Sequence, residues 1–240
     1  FRPEVKYVFD IRGNDNRFLA ENNRIKRLTV LAQRGLILDR HGEILVRNEP
    51  EYGLKDSGNI KIISRQEALS LQAENKEVAI FSKRKYTSPI DFSHLLGFLG
   101  EVSKDELEKE KLSLKGYGFG GLIGRSGVEM QYENLLKGHD GSETLEVDTV
   151  LRIVRKINRI SPTTGKTITL AVDKKLQQIA AEAMRGKKGA VIAAVPQTGE
   201  ILIFYSSPAY NPDELSKLIN DEENRPLLNR VISGLYPPGS

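Results

Sequence analysis

The stretch GAVIAAVPQTGEILIFYSS, residues 189–207, restricts the fold more than any other part of the chain. Two almost wholly apolar runs flank a turn that contains Pro196, Thr198 and Gly199. A strand with one wet face alternates apolar and polar residues; a run without alternation predicts a strand covered on both faces. The pair therefore predicts a hairpin in a sheet with helices packed on it. Just upstream, TITLAVDKKLQQIAAEAMRG reads as a strand followed by a helix. Asp173 is a good N-cap, Leu176, Ile179, Ala180, Ala183 and Met184 follow helical spacing, and Gly186 ends the helix.

The first two-thirds of the chain have a different character. In QRGLILDRHGEILVRN, the short apolar strands Leu36–Leu38 and Ile44–Val46 flank the turn Asp39-Arg40-His41-Gly42. Gly42 can supply a positive φ, and the Asp39 carboxylate can close the turn onto backbone N–H groups. A short helix is predicted from Ser64 to Gln72, and a second after Ser103, where Glu106 completes a capping box. The GYGFGG that follows matches a dinucleotide-loop pattern only formally. It trails a charged helix instead of a buried strand, so it reads as a flexible connector. Val128, Tyr132, Leu135 and Leu136 fall on one helical face with Gly138 as C-cap, and residues 144–160 read as extended. The turn SPTTGK marks a boundary, which divides the chain into residues 1–165 and 166–240.

Composition excludes several classes of function. The chain has no cysteine, which removes disulfide frameworks, thiol catalysis and Cys-ligated zinc. The three histidines, His41, His94 and His139, are far apart and in no metal-ligand spacing, so each reads as a surface or loop residue. The net charge of +4 comes from mixed charges without a long basic run, which argues against nucleic acid as a partner. No stretch reaches the length of a membrane span. The chain opens on FRPEVKYVF without a Met, which leaves room for an upstream anchor or signal.

The last residues, YPPGS, raise the question of chemistry. A serine is a weak nucleophile until a base lies within hydrogen-bond reach and N–H donors face the developing oxyanion. Ser-x-x-Lys at a helix start meets both needs, because side chains three apart share a helical face and the helix N-terminus favours negative charge. A Pro-Pro-Gly turn before Ser240 suits such a helix start. Without that context, Gly-Ser is also an ordinary loop pair.

YPPGS with its preceding Asn-Arg resembles the entry to the active serine of the penicillin-binding proteins. Four earlier segments agree, in order. RGLILDRHGEILVRN resembles the family's N-terminal signature, on Arg34, Gly35, Asp39, Arg40 and Gly42. GRSGVEMQYENLLKGHDG resembles its Gly-x-x-Gly-x-Glu segment, here Gly124, Gly127 and Glu129. PTTGKTITLAVDKKLQQIAAEAM and GAVIAAVPQTGEILIFYSSPAYNP resemble the strand–helix and first hairpin of its transpeptidase domain. AENNRIKRLTVLAQRG leans towards the class B, elongation-type subgroup, similar to penicillin-binding protein 2.

The resemblance implies an α+β fold, mainly β: an elongated N-terminal pedestal (1–165) followed by the truncated start of a transpeptidase domain (166–240), an antiparallel sheet flanked by helices. It implies a peptidoglycan D,D-transpeptidase with Ser240 as the acylated nucleophile and no metal or organic cofactor. The general-base Lys and the family's downstream motifs are not in this chain, so the 240 residues alone are expected to be inactive. Implied partners are peptidoglycan stem peptides, β-lactams, a SEDS-type membrane glycosyltransferase and other elongation proteins. The implied location is the extracytoplasmic face of the bacterial cytoplasmic membrane, through an anchor upstream. Arg34, Asp39, Arg40 and Glu129 read as exposed polar residues that close turns and form ion pairs. Two other readings stay open: a non-catalytic scaffold of the elongation machinery, or a β-lactam sensor or β-lactamase-like relative.

Overall fold

The structure, a computed structural model, describes residues 25–235 except 57–58, 75, 77, 111, 119–120 and 148–152. In chain order these residues form β1 (Ile25–Val30), β2 (Ile37–Leu38), β3 (Ile44–Asp56), β4 (Asn59–Ile63), α1 (Arg65–Ala73), β5 (Val78–Tyr86), α2 (Ser93–Leu96), β6 (Leu99–Glu101) and α3 (Lys104–Lys109). Then come β7 (Leu122–Gly124), α4 (Gly127–Gln131), α5 (Glu133–Leu136), β8 (Gly141–Val147), β9 (Ile153–Ile160), β10 (Ile168–Thr169), α6 (Lys174–Ala183), β11 (Gly189–Ala194), β12 (Ile201–Ser207), α7 (Leu215–Leu218) and α8 (Arg230–Ser233). Strands predominate and helices are short, which is the mixed class expected.

The chain packs as two compact units. One holds the described residues up to Arg34, Asn48–Lys85 and Lys137–Gly165; the other holds Gly35–Arg47, Tyr86–Leu136 and the chain from Lys166 on. The division is therefore discontinuous. The last crossing falls at 165/166, where sequence placed the boundary, but two earlier segments belong with the C-terminal part.

In the first unit, β8 is the centre of an antiparallel sheet ordered β1-β8-β9. Its residues alternate between buried and half-buried, so Leu145 and Val147 join Leu28 and Val30 on one face. The extended reading of residues 144–160 thus resolves into two paired strands. A second patch forms where β3 pairs antiparallel with β4, Tyr52 opposite Ile63. Helix α1 follows, and the Ser64 hydroxyl accepts the Glu67 N–H at its start. Ala68, Ile63 and Val78 make its core.

In the second unit, β2 pairs antiparallel with the start of β3 and parallel with β10. Ile37, Leu45, Val46, Phe92, Leu96, Val128, Leu136 and Val172 make the core beside these strands. The expected hairpin is present. Gly42 has φ +80°, and one Asp39 oxygen accepts the N–H groups of His41 and Glu43, both at 2.8 Å. Asp39 is not exposed, contrary to expectation; it is 1% accessible. Its other oxygen accepts the Lys174 N–H at 3.2 Å, the first residue of α6. Glu129 is also fully buried. Arg40 does meet the ion-pair expectation, 3.7 Å from Glu200 with both side chains partly exposed.

A smaller core lies around Val102, Leu107, Leu112 and Tyr117. Ser103 and Glu106 form the predicted capping box on α3. Glu106 also takes a two-pronged contact from Arg125, at 2.5 and 3.0 Å, and these bonds hold its carboxyl down at about 2. The Tyr117 of GYGFGG is buried and donates to Glu133, so this part of the expected connector is packed. The single helix expected around Val128–Leu136 is broken at Tyr132 into α4 and α5; Val128 and Leu136 are buried, while Tyr132 and Leu135 are largely exposed. The break lets Glu133 turn back and accept the Gly124 N–H at 2.9 Å.

Two substitutions test this packing. A Cβ on Gly124 would lie 2.2 Å from the Glu129 carbonyl oxygen, a backbone atom with no room to move. Gly124→Ala is expected to cost about 2–4 kcal/mol, read from urea unfolding midpoints. Asp39→Ala leaves three N–H groups without their acceptor. It is expected to cost a similar ~2–4 kcal/mol, and Asp39→Asn less, because one amide oxygen remains.

Candidate functional site

Residues 236–240 lie outside the described residues, so the predicted nucleophile Ser240 does too. What the structure describes is the frame leading to it: α6, the β11–β12 hairpin, α2 and residues 221–235.

Helix α6 begins at the predicted cap. Asp173 accepts the N–H groups of Lys175 and Leu176, and these bonds, the one from Leu176 foremost, lower its pKa. The expected face is met in part: Ala180 is buried and Leu176 and Met184 are half-buried, but Ile179 is 64% exposed and Gln177 is buried in its place. Gln177 explains the difference. Its amide donates to the carbonyls of Asp91 and Phe204, both at 2.8 Å, and its oxygen accepts the Phe204 N–H at 2.9 Å. A fully used amide can be buried without penalty, and it ties α6 to the middle of β12.

The β11–β12 hairpin is antiparallel, as predicted, with Ile192 opposite Phe204. It is not covered on both sides among the described residues. β11 alternates, and Ile192 is 55% exposed. The physical reason is that α6 covers one face of a two-stranded ribbon only. At the end of β12 the side chains turn polar and inward. Ser206 and Ser207 are buried, and the Ser207 hydroxyl donates to the Lys187 carbonyl at 2.6 Å.

His94, expected on the surface, is buried on α2. Its Nε2–H donates to the Pro226 carbonyl at 2.9 Å, and its ring meets Tyr210 edge-on at 4.9 Å. Burial, helped by the charge of Arg230, pulls its pKa down to about 4 against the opposing pull of the Pro226 bond. Arg230, on α8, is 9% exposed. Its guanidinium donates to the carbonyls of Asn224 at 2.7 Å and Arg225 at 3.1 Å.

A cavity of about 540 Å³ opens between α6 and the end of β12, lined in part by Asp91, Gln178, Arg185 and Tyr205. Burial raises the pKa of Asp91 and of Tyr205. Arg185 is already paired with Glu182, so the lining presents no concentrated charge.

Sequence reading missed Gln177, His94, Ser206 and Arg230 as framework residues. Only Arg230 left a signal, as the Arg of the Asn-Arg pair before YPPGS.

A family model described as the penicillin-binding protein dimerisation domain matches residues 61–170. The chain is 31% identical to the peptidoglycan D,D-transpeptidase MrdA of Acinetobacter baumannii, in an alignment covering 92% of this chain and 41% of that protein. MrdA of Escherichia coli K12 is 27% identical, over 96% of this chain and 45% of that one. Among solved structures, penicillin-binding protein PBP2 of Helicobacter pylori, in complex with MreC, superposes with a TM-score of 0.72 at 26% identity, over 90% of this chain and 50% of that one. Pseudomonas aeruginosa PBP2, in complex with WCK 5153, gives 0.62 at 28%, over 89% and 39%. The chain spans less than half the length of these curated relatives.

The buried His94 gives a signed pH prediction. Its folded pKa lies below the usual 6.5, so between pH 6.5 and about 4 the unfolded chain binds a proton that the folded chain lacks. Stability present above pH 6.5 is therefore lost as pH falls towards 4. His94→Gln keeps an N–H donor but does not titrate. It is expected to show a smaller fall in urea midpoint between pH 7 and pH 5 than the wild type.

Proposed function

We propose that this chain, homologous to the peptidoglycan D,D-transpeptidases and carrying a penicillin-binding protein dimerisation domain, is the N-terminal part of a class B, elongation-type transpeptidase. Ser240 is its nucleophile. The serine oxygen attacks the carbonyl between the two D-alanines of a pentapeptide stem. The tetrahedral adduct collapses, the terminal D-Ala leaves with its amine protonated, and an ester to Ser240 remains. An amine of a neighbouring stem then displaces the serine, giving a cross-link. A Lys three residues beyond Ser240 is the expected base. β-Lactams imitate the D-Ala-D-Ala end and leave a long-lived ester on the same oxygen.

The observation that carries the reading is the ordered agreement of motif and frame. The Asp39 turn, the Gly124–Glu129 segment, the capped helix α6 and the β11–β12 hairpin all occur, in the order of the family's segments, ahead of YPPGS. The region up to residue 165 acts as a pedestal without chemistry of its own, and residues 166–240 open the catalytic domain. The PBP2 relative solved in complex with MreC supports elongation proteins as partners; a SEDS-type glycosyltransferase is a further expected partner of the class. The working location is the outer face of the bacterial cytoplasmic membrane.

The test is intact-mass analysis of the protein isolated from its source membranes, with and without a penicillin, followed by adduct mapping. One penicilloyl group on Ser240, lost in Ser240→Ala, is expected. No adduct, or an adduct on another residue, would sink the assignment. Rapid release of the adduct would instead identify a β-lactamase-like enzyme.

A further inference from the structure

We propose that the outer edge of β9 is a docking site for a strand of a partner protein: an extended, apolar segment that places a carboxylate against Arg159. The inference concerns the first unit alone and does not depend on the chemistry at Ser240.

Strand β9 ends the sheet ordered β1-β8-β9. An edge strand carries a row of N–H and C=O groups that no neighbour takes. Among the described residues, the main chain of β9 bonds to β8 alone. Natural edges are kept short, or broken by Pro, to prevent further pairing. β9 has eight residues, IVRKINRI, with neither Pro nor Gly, and so offers about 26 Å of extended backbone. All eight are exposed, and four of them are aliphatic: Ile153, Val154, Ile157 and Ile160 are between 47% and 62% accessible. The register against β8 steps from Asn158 to Lys156 and again from Arg155 to Ile153. Ile157 and Val154 are therefore the extra residues of two bulges, without a partner opposite on β8. Neither carries the charge that would repel an incoming strand.

The charges decide the occupant. β9 contains Arg155, Lys156 and Arg159 and no acid. β8 answers two of the three: Lys156 lies 3.1 Å from the buried Glu143, and Arg155 is paired with Glu146. Arg159 has no ionic partner among the described residues. A second copy of β9, laid antiparallel about Ile157, would set Arg155 against Arg159, and like charges directly opposite destabilise a ladder. A lipid phase would leave the edge N–H and C=O groups unsatisfied. The chain itself takes the opposite edge of the sheet, through β1. A strand from another protein meets all three demands. Its main chain extends the ladder, its apolar side chains cover the isoleucines and Val154, and its carboxylate pairs with Arg159.

The experiment is site-specific photo-crosslinking of the complete protein in its source cells. A benzophenone-bearing phenylalanine is placed at Ile157, at Val154 or, as a control, at Ile62, which is exposed on β4. The crosslinked peptides are then sequenced by mass spectrometry. At Ile157 and Val154 the expected adduct is one apolar segment of another protein, containing Asp or Glu, and absent from the Ile62 control. Arg159→Glu is expected to lower its yield about 5-fold or more, and Arg159→Lys to keep it. Because Arg159 is exposed and unpaired, neither change should move the melting temperature, which is measured alongside. An adduct to a second copy, to another part of this chain or to lipid would overturn the proposal. So would the lack of any adduct at both positions, or a partner segment without a carboxylate or indifferent to Arg159→Glu.

Discussion

One buried carboxylate joins parts of the chain 135 positions apart. Asp39 closes its own turn through the N–H groups of His41 and Glu43 and, with its second oxygen, receives the first N–H of α6. Around it, the Arg40 N–H reaches the Val172 carbonyl at 3.1 Å, His41 meets Asp173 at 3.0 Å, and Lys174 meets Glu43 at 3.1 Å. The interaction satisfies orphan donors at a helix start while adding a negative charge where the helix favours one. Helix α6 is therefore anchored at its beginning by an early hairpin. Through Gln177 it then holds β12 in turn.

The same logic runs through the second unit. Its connections are made by polar side chains that leave water and bond across elements. Gln177 joins a helix to a strand, Ser207 joins a strand end to the Lys187 carbonyl, and Tyr210 donates to the Ser93 carbonyl at 3.1 Å. A polar group buried in this way fixes geometry more sharply than an apolar contact, because each bond has a direction as well as a distance. The unit has much to gain from this, since its helices are short and its β11–β12 ribbon is covered on one face. The close approach at Gly124 adds a steric constraint of the same kind, with backbone against backbone and a glycine between.

The first unit depends on different physics. Its sheet relies on alternation along β8, and its smaller patch on one capped helix over a hairpin. The family model matching residues 61–170 takes segments from both units, which follows from the discontinuous division of the chain.

Features whose partners lie within a few residues were legible in the sequence. The Ser64, Ser103 and Asp173 caps, the Gly42 turn and the β11–β12 hairpin are each decided by side-chain-to-backbone bonds or steric freedom inside one turn, so residue type at a given spacing suffices. The motif order before Ser240 was likewise a property of sequence. The burial of Asp39, His94, Gln177, Glu129 and Arg230 was not. A polar residue is exposed by default, and what reverses this is a set of partners supplied from elsewhere: for Gln177 from 27 and 86 positions away, for His94 from 132. The sequence determined which local elements form. Only the tertiary structure decided which polar side chains tie those elements to one another, because hydrogen-bond satisfaction depends on what folding brings near.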